Sequence, residues 1–218
     1  MTIANFILKE QSALVFSDTA MCDLNGNPIG RTTKINVLPH IGAAWVTRGT
    51  VAIDNDIYEH MNTFAYTFDA ALERLPGKLA ESCSIHRANV TVRGFGLVAD
   101  EVIRGDCWFA GYSGGRYRLF NFCSDDDFEP HEHGPGVYLN PSVAVDMPKS
   151  LTLEQAIRVA DTQREMMRAD ASEKGSDWGL GIGGELHAVE LSPDGIRMKT
   201  VHRWREDAKA IINARVKV

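Results

Sequence analysis

Paired β-prone runs, broken by two blocks of helical periodicity, constrain the fold of this chain more than any other feature. Near the start, Ile3–Leu8 and Ala13–Ser17 flank the polar turn Lys-Glu-Gln-Ser, a pattern that predicts a hairpin. Further strands are predicted at Lys34–Leu38 with Ile41–Thr47, at Ala88–Ala99, at Asp106–Tyr112 with Arg116–Phe122, and at Leu186–Leu191 with Ile196–His202. Because hairpins and helices occupy separate stretches, the order indicates an α+β fold rather than alternating βαβ units.

Two stretches carry the helical period. Apolar residues recur at helical spacing from Val51 to Leu79, which predicts two helices with a break near Asn62. Thr152–Arg168 predicts a third helix, and Thr152 with Gln155 forms a capping-box signature at its start. The turn-rich segment Asp23–Arg31 and the polar segment 124–136 are expected to be loops or hairpin tips.

Length and charge limit the class of protein. A chain of 218 residues is predicted to form one domain, residues 1–218, with a full hydrophobic core. The net charge of −6 and the absence of a basic stripe argue against a nucleic-acid partner.

The four cysteines and the apolar runs indicate the compartment. None of the cysteines has C-x-x-C spacing, so reduced thiols and a cytoplasmic location are expected. The N-terminal residues lack a signal-peptide pattern, and no run approaches the roughly 18 apolar residues of a membrane span, so no membrane partner is expected.

Three polar residues stand at regular intervals along the predicted strands. Asp18 follows Thr2 by 16 residues, and Lys34 follows Asp18 by another 16. Asp18 closes the second predicted strand and Lys34 opens a later one. If those strands are neighbours, a hydroxyl, a carboxylate and an ammonium meet at one edge of a sheet.

With this spacing the chain resembles the proteasome-type N-terminal nucleophile hydrolases, in particular the proteasome β subunits and the bacterial HslV protease. Similar stretches run in the same order along nearly the whole chain; they are ALVFSDTA, KINVLPHIGAAWVTRGTVA, WFAGYSGGRYRLFNF, LTLEQAIRVADTQREMM and GIGGELHAVELSPDGI. The resemblance implies a four-layer αββα sandwich of two antiparallel sheets. It also implies a threonine peptidase that needs no cofactor or metal.

The implied chemistry begins when Met1 is removed. A Thr hydroxyl is a weak nucleophile until a base takes its proton, and the freed α-amine of Thr2 can be that base. By resemblance, Lys34 favours the neutral amine, Asp18 holds Lys34, and backbone N–H groups near Trp45 and Val46, in the stretch 45–47, bind the oxyanion.

The supporting residues depart from the family pattern. Trp45 stands at or beside a position that is usually Gly, where its ring would narrow the substrate channel. Ser142 or Asn140 replaces the Ser of a Gly-Ser-Gly turn, and Asp177 matches a supporting Asp only with a shift.

The implied partners are a peptide or protein substrate, other copies of the chain in a homo-oligomeric ring, and an unfoldase that the sequence does not identify. The alternative is a catalytically inactive protein of the same fold that serves as a structural or assembly subunit.

Other motifs in the chain are weaker. Gly111–Gly115 fits the G-x-S-x-G nucleophile elbow but precedes a strand-like run rather than a helix. Asp23, Asn25 and Asn27 imitate half of a calcium loop, and His131 with His133 lies among acidic residues that suit a divalent metal. The glycines of GLGIGG lead into a predicted strand, which argues against a dinucleotide loop.

Overall fold

The computed structural model describes residues 2–22, 28–49, 51–91, 105–143, 152–173, 181–205 and 207. In chain order, the strands of these residues are β1 (Asn5–Lys9), β2 (Ser12–Asp18), β3 (Ala20–Cys22), β4 (Pro28–Arg31), β5 (Ile35–Leu38), β6 (Ala43–Arg48), β7 (Asp106–Ser113), β8 (Arg116–Cys123), β9 (His131–His133), β10 (Gly136–Tyr138), β11 (Glu185–Ser192) and β12 (Gly195–Arg203). The α-helices are α1 (Val51–Phe64), α2 (Phe68–Val90) and α3 (Leu153–Glu173).

The longer strands form two five-stranded antiparallel sheets. The first sheet has the order β10-β1-β2-β11-β12, and the second has the order β5-β6-β7-β8-β9. A short pair, β3-β4, lies outside both sheets. The predicted α+β class with antiparallel hairpins is therefore confirmed.

Both faces of strand β1 are buried, which explains why Phe6, Ile7 and Leu8 are all apolar. Phe6 and Leu8 pack in a cluster that contains residues of both sheets, including Val46 and Leu119. Ile7, pointing the opposite way, packs with residues of α3. A strand buried on both faces has no solvated side, so its side chains need not alternate between apolar and polar.

A third cluster joins the second sheet to the first helix pair. Ile57 of α1, Leu75 of α2 and Phe109 of β7 are all buried in it. The side chain of Thr67 accepts a hydrogen bond from Ala70 N and caps α2, which separates it from α1 close to the predicted break.

The capping box of α3 is present. Thr152 Oγ1 accepts from Gln155 N at 3.2 Å, and Gln155 Oε1 accepts from Thr152 N at 2.8 Å. None of the helices formed by the described residues is long and apolar enough to cross a membrane.

Two local predictions were wrong. Residues 88–90 belong to α2 instead of starting a strand, because the helix continues past Leu79 to bury Cys83 one turn later; residues 92–99 lie outside the described part. The segment 124–136 is not only a loop. His131–His133 pairs with β8 through its backbone, and pairing of that kind does not need apolar side chains.

Candidate active site

The carboxylate of Asp18 lies at the end of β2 and is completely buried. Its Oδ1 accepts from Ile3 N at 2.9 Å, while its Oδ2 accepts from Gly183 N at 3.0 Å and Ala20 N at 3.2 Å. Three backbone donors from three segments therefore fix this one side chain. A buried carboxylate is costly unless such donors and a counter-charge compensate it.

Lys34 supplies that counter-charge. Its Nζ lies 3.0 Å from Asp18 Oδ1 and 2.9 Å from Oδ2, and 3.5 Å from Gly181 O. The Lys34 side chain is 11% exposed and that of Asp18 is 0% exposed. Since Asp18 ends a strand of the first sheet and Lys34 precedes β5 of the second, the ion pair joins the two sheets at one end.

Thr2 directly precedes Ile3, the residue whose N–H is bound by the ion pair. It is 6% exposed, and the peptide N–H that follows it, that of Ile3, donates to Asp18. The hydroxyl of Ser17 donates to Ile3 O at 2.6 Å, so Ile3 is held at both its N–H and its carbonyl. The residue that follows Thr2 is thus fixed by hydrogen bonds at both ends, one of them to the buried carboxylate.

Trp45 and Val46 lie in the middle of β6. In register, they face Asn36 and Ile35 of β5 on one side, and β7 on the other. Their backbone groups are therefore within a stretch that is paired on both edges. The register with β5 ends at Val46, and Thr47 is the next residue along β6.

The ring of Trp45 packs on the helix side of the second sheet. It is buried in the cluster with α1 and α2, and its Nε1 donates to Asp54 Oδ1 at 2.9 Å. The Trp45 ring therefore fills core against α1.

Asp54 is a half-buried carboxylate that hydrogen-bonds to residues of β6. Besides the Trp45 indole, the Thr47 hydroxyl donates to its Oδ1 at 2.9 Å and Asn36 Nδ2 donates to its Oδ2 at 2.7 Å. Burial raises the pKa of Asp54, and the hydrogen bonds from Asn36, Thr47 and Trp45 oppose that rise.

Of the remaining predicted site residues, Ser142 is exposed, and Asp177 lies outside the described residues. Asn140 makes hydrogen bonds to the N-terminal segment and to two charged side chains. Its carbonyl accepts from Ala4 N at 2.8 Å, and its side-chain amide donates to Asp106 Oδ2 at 2.6 Å and accepts from Arg48.

Sequence reasoning missed one contributor, the Gly183-Gly184 pair. The N–H of Gly183 binds Asp18, and the Gly183 carbonyl accepts from Thr19 N and Ala20 N at 3.1 and 3.0 Å. The Gly-Gly dipeptide just before a predicted strand was the available signal, since adjacent glycines often mark a close approach of backbone and a neighbouring group.

Comparison with known proteins bears on the fold. No protein-family model and no curated protein matches the chain. Among solved structures, a Gly-1 mutant of Anbu from Hyphomicrobium sp. strain MC1 is similar with a TM-score of 0.60 and 16% identity, and Anbu (ancestral beta-subunit) from Yersinia bercovieri with 0.59 and 12%. In both cases all of this chain is covered, with 94% and 93% of the other chain. The fold is that of the Anbu proteins.

This finding corrects the family predicted from sequence. Anbu is proteasome-like but distinct, so the assignment to the proteasome β subunits and HslV was wrong. Strand order and spacing at low identity reflect the shape of a fold, and related families share that shape. Since identity to Anbu is 12–16%, the likeness carries the fold alone, and roles for individual residues rest on the contacts described above.

The weaker motifs do not form sites in the described residues. Gly111–Gly115 covers the end of β7 and the turn that leads into β8, so a strand follows it rather than a helix. His131 Nε2 lies 2.6 Å from Asp126, and no group of three or more His, Cys, Asp or Glu in the described part of the chain is arranged to hold a metal ion. Asp23, Asn25 and Asn27 lie outside it.

Proposed function

We propose that this chain is an N-terminal threonine hydrolase on a proteasome-related fold, which cleaves amide bonds of peptides once Met1 is removed. One observation carries the proposal. The buried Asp18–Lys34 ion pair is bound to the peptide N–H that follows Thr2. A fully buried carboxylate with three backbone donors and a shared ammonium is costly to desolvate, so its presence beside the N-terminal segment is better explained by a function than by stability.

The proposed reaction uses the first residue of the processed chain as both nucleophile and base. Thr2 Oγ forms a bond to the substrate carbonyl carbon while the α-amine of Thr2 takes the hydroxyl proton. An α-amine titrates near about 7.7–8.0 when unperturbed, so part of it is neutral near neutral pH. The ammonium of Lys34 disfavours a second positive charge nearby and so increases the neutral fraction.

The remaining steps return the proton and release the products. The protonated amine gives its proton to the leaving nitrogen as the carbon–nitrogen bond breaks, which leaves an ester on Thr2 Oγ. Water, deprotonated by the same amine, then hydrolyses that ester and regenerates the hydroxyl.

Backbone donors for the oxyanion are proposed at the end of β6. Trp45 and Val46 lie opposite β5, whereas Thr47 lies just beyond its register. Within the predicted stretch 45–47, Thr47 alone lies past the register with β5 while still facing Cys107 of β7, and its N–H is the proposed donor for the developing negative charge.

The proposal includes the four-layer αββα arrangement. Three clusters support it: α1 and α2 pack on the second sheet, residues of both sheets pack together, and α3 packs on the first sheet. In that arrangement the Asp18–Lys34 pair lies at one end of the space between the sheets.

We further propose that copies of the chain associate through the α1–α2 face. Large apolar side chains are exposed there; they are Tyr58, Phe64, Tyr66 and Ile85. All four belong to α1, to α2 or to the connection between them, and exposed apolar groups that gather in one region mark candidate protein contacts. Light scattering of the wild type against Phe64→Glu with Tyr66→Glu tests this, and an equal mass for both proteins contradicts it.

The hydrolase proposal is tested by turnover of a fluorogenic peptide in wild type, Thr2→Ala and Thr2→Ser. Thr2→Ala should abolish turnover, while Thr2→Ser keeps a hydroxyl and should retain part of it. Equal turnover in wild type and Thr2→Ala overturns the proposal. Absence of turnover in protein that has lost Met1 favours the inactive structural subunit instead.

A further inference from the structure

The Gly183-Gly184 pair is held between two carboxylates. On one side, Gly183 N donates to Asp18 Oδ2 at 3.0 Å. On the other, Gly184 N donates to Asp207 Oδ2 at 2.8 Å, and Gly184 O accepts from Trp204 N at 3.0 Å. Trp204 and Asp207 therefore both bind Gly184, and the adjoining Gly183 binds the buried carboxylate of the candidate site.

A Cβ at either glycine would collide with a neighbouring side-chain oxygen unless that side chain moved. A Cβ on Gly183 would lie 2.2 Å from Asp207 Oδ2, and a Cβ on Gly184 would lie 2.6 Å from Thr19 Oγ1. Gly184 also has φ +77°, a conformation that residues with a Cβ rarely adopt. Asp207 and Thr19, the residue after β2, thus approach the glycine pair at contact distance.

Asp207 is itself fixed by α3. Arg164 Nη2 lies 2.5 Å from Asp207 Oδ1, and Arg168 Nη2 lies 3.3 Å from the same oxygen. The Arg164 side chain is nearly buried, and its guanidinium lies 5.3 Å from the centre of the Trp204 ring. The Trp204 indole N–H donates in turn to Asp161 Oδ1 of α3 at 2.8 Å.

We propose that Asp207 is a positioning residue for the candidate active site. It fixes Gly184, and through the adjoining Gly183 N–H it sets the position of the Asp18 carboxylate, and hence of Lys34. This inference rests on the proposed function for its catalytic consequence, but the structural link from Asp207 to Gly183 is measurable without any activity.

The test compares two variants that differ in one side-chain group. Both carry Arg164→Met, so that no buried guanidinium is left without its partner. Asp207→Asn retains an oxygen that can accept from Gly184 N, whereas Asp207→Ala removes it. Amide hydrogen exchange at Gly183 and Gly184, followed by NMR, should be about tenfold faster in the Ala variant than in the Asn variant, from the loss of one hydrogen bond.

Activity supplies the second readout, with active sites counted by covalent titration. The Ala variant should have a lower kcat per active site than the Asn variant at an unchanged KM, because positioning acts on the reacting groups rather than on substrate binding. Arg158→Ala, which breaks an exposed pair with Glu154 on the same helix, should change neither measurement.

Equal exchange at Gly183 in the two variants overturns the inference. Faster exchange with an unchanged kcat per active site also overturns it, since Asp207 would then be structural only. Failure of the proposed function is seen separately, as a lack of Thr2-dependent turnover in the wild type.

Discussion

Lys34 Nζ lies 2.9 Å from one oxygen of Asp18 and 3.0 Å from the other, so a single ammonium is shared by both oxygens of a fully buried carboxylate. The same carboxylate accepts the N–H of Ile3, the residue after Thr2. The pair therefore connects the start of β5 to the N-terminal segment. Removing either partner changes both the stability and the site.

Lys34→Met is expected to destabilise the protein strongly. It leaves Asp18 buried without its counter-charge, which typically costs about 3–5 kcal/mol in unfolding free energy. Urea unfolding followed by circular dichroism measures this. Lys78→Ala is the control, because its partner Glu81 is well exposed and such pairs contribute about 0–1 kcal/mol. Similar losses in the two variants would contradict the burial argument.

Gly184→Ala and Gly77→Ala are expected to have opposite effects on stability. At Gly184 the positive φ alone costs about 1–3 kcal/mol for a residue with a Cβ, and Thr19 Oγ1 leaves no room for the methyl group. Gly77 lies within α2 with nothing near its added Cβ, so alanine there should stabilise by up to about 1 kcal/mol. Thermal unfolding of both variants provides the comparison. A tolerated alanine at 184 would mean that the glycine pair is not tightly held.

The half-buried Asp54 predicts an unfolding free energy that falls as the pH rises through the acidic range. Its pKa is raised above the ordinary value of 3.8, so between those two values the native state binds more protons than the unfolded state. The unfolding free energy must then decrease with increasing pH across that window. Asp54→Asn should remove this component, as measured by urea unfolding of both proteins at a series of pH values.

Glu132 provides a contrast of opposite sign. Hydrogen bonding to Arg118 lowers the pKa of Glu132, so its contribution is present above the unfolded pKa and is lost as the pH falls through the folded one. The difference between wild type and Glu132→Gln should therefore grow with pH, although weakly, because the side chain is about one-third exposed. The two differences between wild type and variant should therefore change with pH in opposite directions, and profiles of the same slope would contradict one of the two assignments.

Much of the fold was predictable because its signals are local. Alternation and turn residues marked the β7–β8 and β11–β12 hairpins, and the capping box marked the start of α3. The polar edge strand His131–His133 was missed because backbone pairing with β8 defines it, and its side chains do not.

The site was predictable only in part, for the same reason. The spacing of Thr2, Asp18 and Lys34, read with a family resemblance, singled out the residues that form the ion pair and its neighbour. Their catalytic roles stay predictions. Asp207 contacts Gly184, which is 23 positions away in the sequence, and Arg164, which is 43 positions away. The periodicity of a sequence gives no sign of contacts between residues so far apart.

The most direct test is mass spectrometry of the protein from its natural host, before and after treatment with a peptide epoxyketone. The hydrolase account predicts a chain that has lost Met1 and gains one covalent adduct on the N-terminal Thr2, with no adduct on Thr2→Ala. A chain that keeps Met1, or an adduct that forms equally on Thr2→Ala, would contradict it.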